Sequence, residues 1–201
     1  MTDILSYYRK RRSIYDLDST LPISEDELLE ILELCILQVP SAFNSQSARM
    51  VLLLKEANQK FWQIVLNKLL EVTPPAKFDS TKIKISSFAA GYGTILFFED
   101  SATVTELQTQ YPLYKDAFLQ FSCQSSGMLQ YMVWTALAAS NIGASLQHYN
   151  PIIDEDVKRY WQIPDSWQLL SQMPFGKIKS KAPAKNYLPL NNRFKIYDEG
   201  S

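Results

Sequence analysis

Four stretches of this chain carry residue types that could bind or transform a small molecule. Arg11-Arg12-Ser13 closes a basic run that begins at Arg9. Two guanidiniums and a hydroxyl can clamp a phosphate through paired, charge-assisted hydrogen bonds. The same run also suits a solvated helix end, where cations meet the negative end of the helix dipole. Pro40-Ser41-Ala42-Phe43-Asn44-Ser45-Gln46 is a hydroxyl- and amide-rich segment that can edge a polar cofactor or simply turn the chain. Gly91-Tyr92-Gly93 lacks the third glycine of a dinucleotide loop, because Leu96 stands there. It also precedes the apparent strand instead of following it, so a Rossmann reading fails. Gly143 to Pro151 contains His148, the one histidine of the chain, beside Gln147, Tyr149 and Asn150. With no G-x-S-x-G elbow, a Ser-His-Asp hydrolase has nothing to rest on but that histidine. Cys35 and Cys123 form no CxxC, which suggests neither a zinc site nor a dithiol.

The elements that must position these residues read as follows. A first helix covers 3–11, capped by Thr2 or Asp3. A second covers 24–37, where Ser24 and Glu27 form a capping-box pattern and Leu28, Ile31, Leu32 and Cys35 follow at helical spacing. Residues 41–48 read as a loop, 50–54 as a short strand, and 57–71 as a helix broken by Pro74 and Pro75. A polar, basic loop is expected over about 76–87, then a buried strand from Gly93 to Phe98. Helix 101–109, a turn at Tyr111-Pro112, a long helix over about 114–140, strand 142–148, helix 154–161 and strand 167–175 complete the series. The tail after Lys177, with Pro183 and Pro189, should be extended. Helices alternating with short strands give an α/β or α+β fold.

Length and composition fit one domain, 1–201, with an extended C-terminal tail. A net charge of -1 gives no reason to expect nucleic acid or a membrane surface as partner. The long apolar stretch from Ala117 to Ser140 contains Gln120, Gln124, Ser125, Ser126 and Gln130, too many polar groups for a lipid span. No signal-peptide pattern opens the chain, and two distant cysteines suit a reducing, cytoplasmic setting. Locally the charge is uneven. Lys177, Lys179, Lys181, Lys185, Arg193 and Lys195 make a second basic cluster that could converge with the N-terminal one on a single anion.

Taken in order, these motifs resemble the nitroreductase-like superfamily. Arg11-Arg12-Ser13-Ile14 matches its N-terminal basic signature, and Pro40-Ser41-x-x-Asn44-x-Gln46 its helix-to-strand loop. Gly91-Tyr92-Gly93-Thr94-Ile95-Leu96-Phe97-Phe98-Glu99, Ser145-Leu146-Gln147-His148-Tyr149-Asn150-Pro151 and Met173-Pro174-Phe175-Gly176 are similar to a branch of fungal and bacterial proteins linked to fatty-acid regulation and oxidative stress. The resemblance implies an α+β three-layer sandwich with a mostly antiparallel central sheet. It also implies a homodimer with FMN at the interface. Arg11 and Ser13, with Arg12 beside them, and Lys185 would serve the FMN phosphate. Ser41, Ala42, Asn44 and Gln46 would approach the flavin from the other subunit, and Gln147 and His148 would border its reactive edge. Tyr15 and Tyr187 stand where many relatives carry a basic residue, and either Lys82 or Lys84 could approach the flavin. The implied activity is ping-pong reduction of a nitroaromatic or quinone by NAD(P)H, with no separate acid–base residue. The competing reading is a flavin-binding stress or regulatory protein with little turnover.

Overall fold

The computed structural model describes residues 4–198, so the expected cap residues Thr2 and Asp3 lie outside it. Its helices are α1 (Ile4–Lys10), α2 (Glu25–Gln38), α3 (Lys55–Val72), α4 (Phe78–Ala89), α5 (Ser101–Gln110), α6 (Ala117–Ala139) and α7 (Asp154–Trp161). The strands are β1 (Leu17–Asp18), β2 (Ala48–Leu54), β3 (Gly93–Asp100), β4 (Ile142–Ala144) and β5 (Trp167–Ile178). The sheet runs β1-β5-β3-β2, with β4 also paired to β5, and every strand pair is antiparallel.

β3 is buried along all its residues, which requires cover on both faces of the sheet. Side chains alternate along a strand, and β3 sorts accordingly. Ile95 and Phe97 enter one cluster with Leu28, Leu32 and Cys35 of α2 and Leu129, Val133 and Leu137 of α6. Leu96 and Phe98 enter the other with Phe61, Trp62 and Val65 of α3, Ile85 and Phe88 of α4, and Val157 of α7. The result is the expected α+β sandwich, with helices, an antiparallel sheet and helices as its three layers.

Local signals explain most boundaries. Glu27 N–H donates to Ser24 Oγ (3.2 Å), and Ser24 N–H donates to Glu27 Oε2 (2.8 Å), so the predicted capping box opens α2. The segment expected as a loop over 76–87 is instead α4. Phe78, Thr81, Ile85 and Phe88 turn to the protein at helical spacing, while Lys82, Ile83 and Lys84 face outward. The exposed Ile83 and the serines hid that stripe. Strand 142–148 is shorter than expected: the regular ladder ends at Ala144, and Gln147 returns as an isolated bridge to Gln172. The long helix begins at Ala117 because a short turn at Pro112–Tyr114 precedes it.

Gly91 and Gly93 have a packing role. An added Cβ would lie 2.7 Å from Phe175 O at Gly91 and 2.7 Å from Leu53 O at Gly93. Asn58 Nδ2 donates to Gly91 O (3.3 Å), and Asn58 Oδ1 accepts from Thr94 Oγ1 (2.7 Å). Trp62 Nε1 donates in turn to Thr94 Oγ1 (2.9 Å), so a buried polar chain fixes this turn against α3.

Candidate functional site

α1 ends at Lys10, and the chain continues extended past β4. Ser13 bridges Ala144 in parallel, and Ile14 N–H donates to Ala144 O (2.9 Å). Extended backbone sends alternate side chains to opposite sides. Arg11, Ser13 and Tyr15 therefore share one side, and Arg12 and Ile14 the other. The Arg11 guanidinium lies over Trp134 of α6, 4.3 Å from the ring centroid, and its buried Nε has no hydrogen-bond partner. Tyr15 is half exposed, with its ring 6.0 Å from that of Phe88. Arg12 turns the other way and donates from Nη2 to Pro183 O (2.6 Å). Pro183 brings the tail to the basic signature, two residues before Lys185. That lysine is exposed, with its ammonium 5.3 Å from the Tyr187 ring.

The segment after β4 lies next to this clamp. Gln147 and Gln172 exchange backbone hydrogen bonds of 2.7 and 2.9 Å, while the Gln147 side chain donates to Ser145 Oγ (3.1 Å). Buried Gln172 then accepts from Tyr149 N–H (2.8 Å) and donates to Asn150 Oδ1 (3.3 Å). One glutamine thus pins the residues on either side of His148, which stays exposed. The Tyr149 hydroxyl is buried without a partner. Burial, with a smaller contribution from Tyr15, pushes it up to about 12. The Lys84 ammonium stands 6.0 Å from both the Phe88 and Tyr149 rings, so Lys84, and not Lys82, joins Tyr15 and Tyr149 here.

The Ser41–Gln46 loop is held in a costly shape. Phe43, Asn44 and Gln46 have φ of 56°, 52° and 48°, a region few non-glycine residues adopt. Ser41 Oγ accepts the Gln46 N–H (3.0 Å), and Asn44 N–H donates to Ser41 O (3.0 Å). Ala42 O accepts from Ser45 N–H (3.1 Å). Arg49 reaches back from β2 to donate to Gln46 O (2.6 Å) while pairing with Asp100 (2.9 Å). The Phe43 ring packs against Tyr111, Phe118 and Tyr114, with centroids 4.7, 5.3 and 5.8 Å away. Burial raises the Asp100 carboxyl, but Ser166, the Ala102 N–H and Arg49 outweigh it and leave the group below its ordinary range. Next to it, Glu99 is buried with neither oxygen in a well-formed hydrogen bond. Burial pushes its carboxyl up, against the opposing pull of Ser47 and Arg49. The Arg49–Asp100 clamp escaped sequence reasoning, because nothing local links residues so far apart.

Within one chain the two candidate halves do not meet. The loop packs on Phe118, near the start of α6, and Arg11 on Trp134, near its end. Sixteen residues of α-helix span about 24 Å. Among the described residues, no group of three His, Cys, Asp or Glu side chains could hold a metal ion, and no helix is long and apolar enough to cross a membrane. Cys35 is buried and its thiol is pushed up to about 11, which disfavours a nucleophilic thiolate.

The fold and site thus define a three-layer α+β protein that presents a buried arginine nitrogen without a hydrogen-bond partner and an aromatic edge on adjoining segments. The chain belongs to the nitroreductase family, whose pattern matches residues 8–177. HBN1 of Saccharomyces cerevisiae, a nitroreductase by name, is 34% identical over 180 residues, covering 89% of each chain. The solved structure of the nitroreductase CinD from Lactococcus lactis, in complex with chloramphenicol, superposes with a TM-score of 0.90 at 38% identity. That match covers 98% of this chain and 100% of CinD. A nitroreductase from Desulfitobacterium hafniense with bound FMN shares the fold at 16% identity, with a TM-score of 0.72 over 98% of this chain and all of that one.

Proposed function

We propose that this protein is an FMN-dependent oxidoreductase that uses NAD(P)H to reduce small aromatic acceptors, and that its two sites form between the subunits of a homodimer. The observation that carries this reading is the Ser13–Ala144 bridge. It brings the Arg11–Ser13 segment, whose side chains would clamp the phosphate, alongside the strand that leads to Gln147–Tyr149. The buried, unpartnered Nε of Arg11 fits a phosphate oxygen, an acceptor that this nitrogen lacks among the described residues. Arg11 and Ser13, assisted by Lys185, would hold the phosphate. Lys84, Tyr15 and the Gln147–His148 backbone would border the ring, and Ser41, Ala42, Asn44 and Gln46 would complete the site from the second subunit. Bound FMN would supply the redox chemistry, accepting a hydride from NAD(P)H and passing reducing equivalents to a nitroaromatic or quinone in turn.

The chain's own residues then bind, orient and exclude water. Tyr149 and Phe43 offer flat apolar faces to a planar acceptor. The exposed His148 stands at the rim and needs no acid–base role. CinD complexes with chloramphenicol and 4-nitrophenol lend support to an aromatic acceptor. The test is the absorbance spectrum of the purified protein, before and after anaerobic NADH or NADPH. A flavin spectrum that bleaches on reduction and returns with a nitroaromatic is expected. A colourless protein that takes up no added FMN defeats the proposal. Bound flavin that no pyridine nucleotide reduces favours the alternative, a flavin-binding regulatory protein.

A further inference from the structure

The side of the extended segment turned away from Arg11 and Ser13 borders a separate cavity of about 310 Å³, lined by Lys10, Arg12, Ile14, Ala138, Ile142, Ile178, Lys181 and Ala182. Its composition is unusual in two respects. The floor is aliphatic: Ile14, Ala138 and Ile142 are 7%, 8% and 1% exposed, drawn from the N-terminal segment, α6 and β4. The rim carries three cations from separate places, namely the end of α1, the extended segment and the tail. None of the three takes part in an ion pair with a carboxylate among the described residues. Lys10 Nζ donates to Ala139 O (3.2 Å), and Arg12 Nη2 to Pro183 O (2.6 Å). Carbonyls orient these cations without neutralising them. Three like charges around an apolar floor repel one another and create a positive potential that an anion relieves. We propose that this cavity is a second ligand site, distinct from the redox site, for a small organic anion with a carboxylate or phosphate head on an apolar body. The head would sit among Lys10, Arg12 and Lys181, and the body on Ile14, Ala138 and Ile142. The volume lies at the small end of the usual range for ligand pockets, roughly 300–1,000 Å³. Because Lys181 and Ala182 of the tail line the cavity and Arg12 holds the Pro183 carbonyl, occupancy would also order the tail that leads to Lys185.

The experiment titrates phenyl phosphate and benzoate, with inorganic phosphate as the head alone, into FMN-saturated and FMN-free protein by calorimetry. Lys10→Glu and Lys181→Glu are the variants; both residues are exposed and outside the flavin clamp, and thermal melts check their folding. One aryl anion bound per chain in the FMN-saturated protein, weakened about tenfold or more by each charge reversal while FMN affinity holds, supports the second site. Inorganic phosphate should bind more weakly than phenyl phosphate, since it leaves the aliphatic floor bare. No aryl-anion binding in either form overturns the proposal, as does binding that both charge reversals leave unchanged. Competition between FMN and the aryl anion, with both substitutions weakening FMN, also overturns it, by making the cavity part of the flavin's own phosphate site. Protein that binds no FMN but still binds the aryl anion in this way supports the second site while defeating the proposed redox function.

Discussion

At the scale of single residues, two adjacent arginines that look equivalent in sequence separate into different tasks. Arg11 holds a buried, unpartnered Nε against Trp134, whereas Arg12 is engaged by the tail. Hydrogen bonds to charged groups contribute about 1.5–3 kcal/mol. Arg11→Ala is therefore expected to weaken FMN binding by roughly 10- to 150-fold. Arg12→Ala should change it severalfold at most. Fluorescence titration of FMN decides this, and equal losses in the two variants would contradict the assignment. Glu99 offers a pH test. Its folded-state carboxyl is raised, chiefly by burial, so its contribution to stability is fully present below the unfolded-state value and is lost as pH rises through the folded one. Glu99→Gln removes that titration. The variant should melt close to the parent near pH 4 and above it at pH 8, by about 2–4 °C for each ~1 kcal/mol gained. A melting difference independent of pH would show that Glu99 does not titrate as its burial implies.

At the scale of elements, the loop between α2 and β2 matters most, because its shape is not one its residues favour. Backbone strain of order 1–3 kcal/mol per residue persists only where surroundings impose it. Here Arg49 holds the Gln46 carbonyl and Phe43 is gripped by the α5–α6 aromatics. Arg49→Ala leaves the Asp100 carboxylate without its cation and should cost about 1–3 kcal/mol of stability, less than a fully buried pair because Arg49 is partly exposed. FMN affinity should fall with it, and Arg49→Lys should recover only part, since a lysine cannot fork to both partners. Full FMN affinity in Arg49→Ala would show that the clamp does not position the loop. The sequence displayed this loop's composition but not its strain, because positive φ at Phe43, Asn44 and Gln46 depends on contacts from β2 and α6. The same limit explains α4 and β1. A helix with a narrow inner stripe, and a strand as short as Leu17–Asp18, leave little periodic signal. The capping box of α2 and the continuous apolar run of β3 were legible because their signals are local.

At the scale of the whole molecule, the question is what covers α6. Its outer stripe exposes Leu119 (61%), Met128 and Tyr131 (45%), and α1 adds Ile4 and Tyr8 beside it. Gly127 lies in that stripe, and a Cβ there would meet nothing within 4 Å. Glycine in a helix interior costs about 0.5–1 kcal/mol relative to alanine, and no contact among the described residues calls for it. A second copy packed closely along α6, as in the proposed homodimer, would call for it. Two-fold symmetry with antiparallel α6 helices would carry the Phe118 end of one chain to the Trp134 end of the other, closing the ~24 Å gap between the half-sites. Gly127→Leu should then convert a dimer to monomers in sedimentation and release FMN. If the chain works alone, the same change should only stabilise the helix. Mixed dimers give the more searching test. Arg11→Ala damages the clamp, and Asn44→Val forces a β-branched residue into the left-handed region of the loop. Each homodimer should bind FMN poorly. In a heterodimer carrying one lesion per chain, a shared site places both lesions together and leaves the other site whole. Random mixing should therefore restore about a quarter of all sites, and tandem-tag purification of the heterodimer about half. If each flavin site lay within one chain, every site would keep one lesion, and mixing would restore nothing.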